Sequence, residues 1–276
     1  MPLPGMVECH PYEVHSGAPG APGVHRGLPS PYLTFVVTVS GPLLLARPDG
    51  GPARFRACLG GLHDTPEHIL DPGHQVGIHV AVHPLAARSL FGVPAAALGG
   101  RSYEAAEVIG RIGAEVAERI DDERTWPARL AALDDVFARL HARYGDGPRA
   151  DDGVRHAWRR IVGGQGVGAT AREVGWSPDH LTRRFAAEFG VRPKVAGRMA
   201  RFDRARRVIA ARAVAGTLDL AAVAADLGYA DQAHLAREFR ALAGCSASQW
   251  VAEEVHGGLV GFVQADGDDD APSSAA

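Results

Sequence analysis

The chain is 276 residues long, 46% of its residues are apolar, 22% are charged, and its formal net charge is −3. This composition excludes an intrinsically disordered protein and is typical of a packed globular protein long enough for two domains. The three cysteines are scattered, no apolar run is long enough to cross a bilayer, and the N-terminus has no signal sequence, so we expect a protein of the reducing cytoplasm.

The N-terminal half is predicted to be rich in β-strands. Residues 1–30 contain many Pro and Gly residues and predict an irregular arm. Beyond this arm, alternating and β-branched apolar residues between turn signals predict strands. The segments are 31–39 (PYLTFVVTV), 53–59 (ARFRACL) and 75–84 (QVGIHVAVHP).

Two amphipathic helices are predicted after Tyr103. The first has one apolar face, formed by Ile109, Ile112, Val116 and Ile120. The second has apolar residues at alternating spacings of three and four, namely Leu130, Leu133, Phe137, Leu140 and Tyr144. The simplest interpretation is that both helices cover the sheet. The alternative is that the second helix forms the seam of a homodimer.

Several histidines of the N-terminal half raise the question of a metal site; they are His63, His68, His74, His79 and His83. His79 and His83 share one face of the third predicted strand, but four strand residues span about 13 Å at ~3.3 Å per residue. Zinc–nitrogen bonds are only ~2 Å long, so these two cannot chelate one ion without a kink. His63 or His68 joining one of them remains an alternative. We predict no metal and no cofactor, and expect polar lining of a ligand cavity.

The charges are unevenly distributed along the chain. Residues 1–150 carry 13 basic and 16 acidic groups, whereas residues 155–212 carry 14 basic and four acidic groups. All the basic residues of the second window are Arg except Lys194, which is the only Lys of the protein. A basic block within an acidic chain indicates a polyanionic partner.

Three boundaries follow from the composition. Residues 146–153 predict a polar linker between a domain at 1–145 and a helical domain at 154–254. Residues 255–276 predict a disordered acidic tail.

The helical domain contains an internal repeat. HLTRRF ends at Phe185 and HLAREF ends at Phe239. Both copies have the same flanking residues: a Gly followed by an aromatic residue, a helix-capping residue three positions before the His, and a later Gly. In chain order they are Gly175, Trp176, Ser177 and Gly190, then Gly228, Tyr229, Asp231 and Gly244. A repeat of this kind indicates two copies of one structural unit.

Each copy predicts a short helix, a turn and a capped second helix. In the second helix, apolar residues at every fourth position must face the core, namely Leu181, Phe185, Phe189, Leu235 and Phe239. The residues between them then point to solvent or to a partner. This is the arrangement of a helix-turn-helix motif, whose second helix enters the major groove of DNA.

The segment between the copies, residues 194–213, predicts a helix of about 18 residues, or roughly 27 Å at 1.5 Å per residue. Recognition helices in successive major grooves lie ~34–36 Å apart, so a rod of nearly this length would hold both in register. Its arginines are candidate phosphate contacts: Arg198, Arg201, Arg204, Arg206 and Arg207. The alternative for Arg201 is that it locks the rod to the first motif.

Residues 154–254 resemble the DNA-binding domain of AraC/XylS-family transcription regulators. The similar segments are GWSPDHLTRRFAAEFGVRPK, RMARFDRARRVI and LGYADQAHLAREFRALAG. One departure is Ala247, which stands where the family usually has a Pro, as Pro193 follows Gly190 in the first copy.

The resemblance implies an α+β protein. A β-rich, loosely cupin-like sensor and dimerisation domain with two helices would precede an all-α double helix-turn-helix domain. It also implies double-stranded DNA, RNA polymerase and an unidentified small-molecule effector as partners. Activation is the commoner mode of the family, and repression is equally compatible with these residues.

By position within the motif, the base-reading residues of the family correspond to Asp179, Thr182, Arg183, Gln232, Ala233, His234 and Arg237. Arg can fork onto guanine and Gln onto adenine. Asp179 either accepts from cytosine or supports the helix start, and we favour the second. A structural role is the alternative for His180 and His234. The residues expected at the DNA backbone are Lys194, Arg198, Arg204 and Arg207.

An enzyme is the competing interpretation. A metal-dependent cupin-like enzyme, or a metal sensor with the helix-turn-helix domain as an appendage, would need clustered His and Glu ligands. The sequence has no H-x-H spacing, no Ser/His/Asp nucleophile motif, no P-loop and no G-x-G-x-x-G. We therefore predict no catalytic residues.

Overall fold

The computed structural model describes residues 6–15, 24–47, 51–70 and 74–255. A β-rich N-terminal region is followed by a helical C-terminal region, so the expected α+β class is confirmed. Residues 256–276 of the predicted acidic tail lie outside the described residues. In the described part of the chain, no helix is long and apolar enough to span a membrane.

The strands form two antiparallel sheets. They are β1 (Met6–His15), β2 (Val24–Gly27), β3 (Leu33–Ser40), β4 (Leu43–Leu45), β5 (Ala53–Phe55), β6 (Ala57–Gly60), β7 (Glu67–Leu70), β8 (His74–Val82) and β9 (Ser102–Glu104). One sheet has the order β1-β8-β3-β6-β9, and the other has the order β2-β7-β4-β5. The three strand-forming segments predicted from the sequence lie in these sheets.

The predicted irregular arm is wrong for residues 6–15 and 24–27. Residues 6–15 form β1, which pairs with β8, and residues 24–27 form β2, which pairs with β7. Both strands lie at sheet edges. An edge strand tolerates Pro11, which has no N–H to donate, and the alternation of the strand buries Tyr12.

The segment ARFRACL was expected as one strand, and the structure divides it between the two sheets at Arg56. Ala53–Phe55 pairs with β4, whereas the strand that begins at Ala57 pairs with β3. The amides of Arg56 and Ala57 both donate to the Glu104 carboxylate, at 3.1 and 2.9 Å. A distant side chain therefore satisfies the backbone where the chain changes sheets.

The helices follow β8 in the chain, and the first of them precedes the last strand, β9. They are α1 (Ala87–Phe91), α2 (Ala105–Asp121), α3 (Trp126–Tyr144), α4 (Asp152–Val162), α5 (Val167–Glu173), α6 (Pro178–Phe189), α7 (Pro193–Val214), α8 (Leu220–Asp226), α9 (Gln232–Ala243) and α10 (Ala247–Trp250). The helix α2 begins with a capping box between Glu104 and Glu107 and kinks at Gly110, where φ is +59°. The π-helical turn Val251–Val255 ends the described chain.

The helix α3 packs on α2 and α1 and reaches the sheet through Phe137, and its interpretation as a dimer seam is wrong. Leu133, Phe137 and Leu140 are each 0% exposed within a single chain. The ring of Phe137 meets Phe35 of β3 edge to face at 5.7 Å between centroids. A heptad-like spacing is equally suited to a helix that packs on α2 and α1, and here the buried face is used within the chain.

The principal hydrophobic core extends past the predicted linker. It includes Leu33 of the sheet and Leu133 of α3, and continues through Trp158 of α4 to Met199 of α7. The core of the C-terminal part is separate and begins at Phe202 of the same helix. The change from one core to the other therefore falls within α7, between Met199 and Phe202.

Candidate nucleic-acid interface

The first predicted helix-turn-helix motif consists of α5 and α6, and α4 packs against both. Gly175 takes φ +70° in the turn, and Trp176 N–H donates to the Ala171 carbonyl at 2.9 Å. Ser177 then caps α6 by accepting from His180 N–H at 3.2 Å. The apolar residues Leu181, Phe185 and Phe189 are each 0% exposed, as their spacing predicted.

A surface hydrogen-bond network braces this motif. The Glu173 carboxylate at the end of α5 accepts from Gln165, His156 and Arg160. These hydrogen bonds lower the pKa of Glu173 to about 2. They tie α4 to α5 from the solvent side, opposite the aromatic core.

The second motif, α8 and α9, repeats the geometry of the first. Gly228 takes φ +73°, Tyr229 N–H donates to the Ala224 carbonyl at 3.0 Å, and Asp231 accepts from His234 N–H at 2.6 Å. Gly190 and Gly244 end the two second helices in the left-handed conformation. Ala247, the departure from the expected Pro, begins α10 after a cap from Ser246.

Both second helices present one stripe of residues to solvent at spacings of four. On α6 the exposed stripe is Asp179, Arg183 and Ala187; on α9 it is Ala233, Arg237 and Ala241. The stripes occupy equivalent positions of the repeat, and each has an Arg at its centre. The two motifs therefore expose matching surfaces.

Comparisons with known proteins agree with this geometry. Residues 170–253 match the family model described as "Helix-turn-helix domain". The chain contains an AraC-type helix-turn-helix domain. A search of curated protein sequences found no significant match.

Three solved structures of ToxT from Vibrio cholerae are similar to the whole chain. A 1.65 Å structure has a TM-score of 0.52 at 10% identity, covering 90% of this chain and 98% of that one. A second, from strain O395, has a TM-score of 0.51 at 11% identity, covering 89% and 96%. The third, with an unsaturated fatty acid bound, has a TM-score of 0.50 at 9% identity, covering 90% and 95%. At these identities the likeness shows a shared two-domain fold.

The AraC-type domain holds its two motifs apart by the rod α7. This helix has 22 residues, so it is about 33 Å long at 1.5 Å per residue. Arg201 on the rod binds Glu238 of α9, with nitrogen–oxygen distances of 3.1 and 2.7 Å, and lies 4.7 Å from the centre of the Tyr229 ring. Burial alone would raise the pKa of Glu238, but the hydrogen bonds from Arg201 lower it. Arg201 therefore joins the rod to the second motif. The alternative stated for Arg201, that it joins the rod to the first motif, is wrong.

The predicted base readers differ in how much of their side chain is free for DNA. Arg183, Arg237, Gln232 and Ala233 are exposed. The Thr182 hydroxyl donates to the Pro178 carbonyl at 2.8 Å. The His234 ring accepts from Ala230 N–H through Nδ1 at 3.2 Å and packs against Tyr229. In its neutral form this ring carries its proton on Nε2, so it would offer DNA a donor.

The residues expected at the DNA backbone occupy different environments. Lys194 is exposed, and Arg204 donates to the Val162 carbonyl at 3.0 Å. Arg198 lies 3.4 Å from Glu238. Arg207 points to the N-terminal domain, where it donates to Glu8 at 2.7 and 3.0 Å. It also donates to Asp203 of its own helix at 3.1 Å. A phosphate contact by Arg207 would therefore require release of Glu8.

Ion pairs that no sequence pattern predicts join the AraC-type domain to the N-terminal domain. Arg88 of α1 donates to Glu188 of α6 at 2.8 and 2.9 Å. At the other end, His25 and Arg26 of β2 bind the carboxylates of Glu253 and Glu254. Such partners are separated by 100 residues or more, so no local pattern signals them.

A cavity of about 120 Å³ lies between the sheets and the C-terminal helices, where Arg206 of α7, Trp250 of α10 and Glu254 of the π-helical turn line it. His63 and His79 line it, together with residues from both domains such as Tyr12 and Trp250. Among residues 6–15, 24–47, 51–70 and 74–255, no three His, Cys, Asp or Glu side chains lie close enough together to hold a metal ion. The two histidines thus occupy the wall of a cavity.

Proposed function

We propose that this chain is a sequence-specific, DNA-binding transcription regulator that places α6 and α9 in successive major grooves. The observation that carries the proposal is the pair of equivalent exposed stripes centred on Arg183 and Arg237. The rod between them is about 33 Å long, close to the ~34–36 Å that separates successive grooves on one face of DNA. As part of the same proposal, the protein works in the cytoplasm, and its AraC-type domain contacts RNA polymerase.

A small-molecule effector is proposed to bind in the cavity between the two domains. The cavity has walls from the sheets and from α7, α10 and the π-helical turn, so a ligand there would contact both domains. ToxT, which has a similar fold, has been solved with an unsaturated fatty acid bound. The ligand would act by favouring one arrangement of the two domains over another.

Assembly into a homodimer is also proposed, through a surface other than the buried face of α3. A selected DNA site that repeats the whole two-groove site of one chain would support a dimer. Light scattering on the free chain would measure the assembly directly.

The test is selection of binding sites from random DNA by the full chain, followed by affinity measurements on the selected site at increasing salt. We expect a defined site and an affinity that falls steeply with salt, because Arg–phosphate contacts release counterions. As a matched control, Arg111→Ala changes an exposed Arg on α2, far from the motifs, and leaves affinity unchanged. Selection that yields no shared sequence, or an affinity that does not respond to salt, would exclude this function.

A further inference from the structure

The cavity wall that comes from the sheets is largely apolar and includes Val36, Leu43, Leu45 and Ile69. Burial holds three titratable groups of this wall neutral: it lowers the pKa of His79 to about 3, raises the pKa of Cys58 to about 12 and also raises the pKa of Tyr12. At neutral pH these three groups therefore offer a ligand neutral polar atoms within an apolar surface.

The charged residues that line the cavity are Glu67 and Arg26 of the sheets, Arg206 of α7 and Glu254. The Glu67 carboxylate accepts from the Ser102 hydroxyl at 2.9 Å, and protein carboxylates pair both arginines. Arg206 binds Asp203, with nitrogen–oxygen distances of 2.9 and 2.6 Å. Arg26 binds Glu253 through its guanidinium, and its backbone N–H donates to Glu254 at 3.1 Å.

Glu254 reaches the cavity from the C-terminal end of the AraC-type domain. Its carboxylate also binds His25 Nδ1, and its side chain is only 3% exposed. Glu254 itself lines the cavity, beside the His25 and Arg26 groups that an acidic ligand would need.

We propose that the cavity takes a small uncharged ligand about the size of one six-membered ring, and that Glu254 excludes acidic ligands by occupying the place of their head group. The proposal rests on the proposed function, because it specifies the class of effector.

Two physical arguments support this assignment. An acidic ligand would have to displace Glu254 from His25 and Arg26, which leaves a buried carboxylate without partners, a strongly unfavourable state. A cavity of about 120 Å³ is slightly smaller than the roughly 150 Å³ apolar cavity known to hold benzene. One ring therefore fits, and a long acyl chain would require the domains to separate.

The test compares phenol with benzoate, which share a ring and differ in charge at neutral pH. With the full chain we expect phenol to raise the melting temperature and to bind about tenfold more tightly than benzoate, or better, by calorimetry. Glu254→Gln keeps the hydrogen-bonding shape and removes the charge, so benzoate binding should strengthen while phenol binding is little changed. The matched control is Glu115→Gln on α2, far from the cavity, which should leave both affinities as in the unmodified chain.

A second variant locates the binding. Ile69→Phe adds volume to the cavity wall and should abolish phenol binding in a folded protein, as judged by circular dichroism. Benzoate binding to the unmodified chain at least as tightly as phenol would overturn the proposal, as would persistence of phenol binding in Ile69→Phe. Absence of binding by either compound would also overturn it, and DNA binding measured without ligand keeps that failure separate from failure of the proposed function. If Glu254→Gln does not fold, the comparison on the unmodified chain decides.

Discussion

Arg88 and Glu188 are joined by two hydrogen bonds, of 2.8 and 2.9 Å, that connect the N-terminal domain to α6. The Glu188 side chain is 10% exposed and that of Arg88 is 30% exposed. On the opposite side of this helix, Arg183 faces solvent. The helix that presents Arg183 is thus attached to the domain proposed to sense the effector.

Removal of Arg88 should destabilise the whole protein. Arg88→Ala leaves the Glu188 carboxylate largely buried without its partner, and we expect a loss of about 2 kcal/mol, below the value for a fully buried pair because Arg88 is partly solvated. Urea unfolding followed by circular dichroism measures the change. The exposed pair Arg111–Glu115 provides the control, since Arg111→Ala should have no measurable effect. Equal effects of the two substitutions would show that the Arg88 pair is screened like a surface pair.

Arg183 and Arg237, at the centres of the two exposed stripes, should read separate base pairs. Arg183→Ala and Arg237→Ala should each relax preference at one position, with the two positions about 10 base pairs apart and a cost of roughly 1–3 kcal/mol each if the Arg forks onto guanine. Site selection with each variant measures this. Uniform weakening on all sequences would instead identify the substituted Arg as a backbone contact.

Charged substitutions on the buried face of α3 should unfold the N-terminal domain and not merely separate protomers. Leu133 and Leu140 are 0% exposed, so Leu133→Asp with Leu140→Asp buries two carboxylates without partners. Circular dichroism and light scattering distinguish loss of folding from loss of assembly. Ala138→Asp, at an exposed site of the same helix, is the matched control. A folded monomer from the double variant would restore this helix as a dimer seam.

A fragment of residues 154–254 should lose order in its first motif before its second. Trp158 and Phe185 lie in a core shared with the sheets, whereas Phe239 and Trp250 lie in a core formed mostly by the second motif and the rod. We expect faster amide hydrogen exchange in α4–α6 of the fragment than in the full chain, with a smaller change in α8 and α9. Equal protection of both motifs in the fragment would show that the first motif folds without the N-terminal domain.

The sequence predicted what local patterns encode and missed what distant residues decide. Repeated caps and turn glycines identified both motifs, because Ser177 and Asp231 act on backbone amides within three residues. The strand β1 was missed because Pro11 and its Gly-rich surroundings resemble a loop unless the pairing with β8 is known. The spacing of apolar residues located α3 but could not show whether the chain itself or a second copy covers it.

The same difference between local patterns and distant partners applies to the candidate site. Exposure of Arg183 and Arg237 follows from helix periodicity, so their positions were predictable. The partners of Arg201 and Arg207 were not, since Glu238 and Glu8 lie 37 and 199 residues away in the chain.

The change of core within α7 also sets an order for synthesis on the ribosome. The N-terminal core needs Trp158, Phe189 and Met199 to be complete, so the sheets cannot finish packing until about residue 200 has left the exit tunnel. The second motif would then fold last, against a rod that its neighbour has already fixed. A ribosome stalled after α7 has emerged would therefore carry a folded N-terminal domain together with the first motif. A ribosome stalled at the linker would carry sheets that lack part of their core.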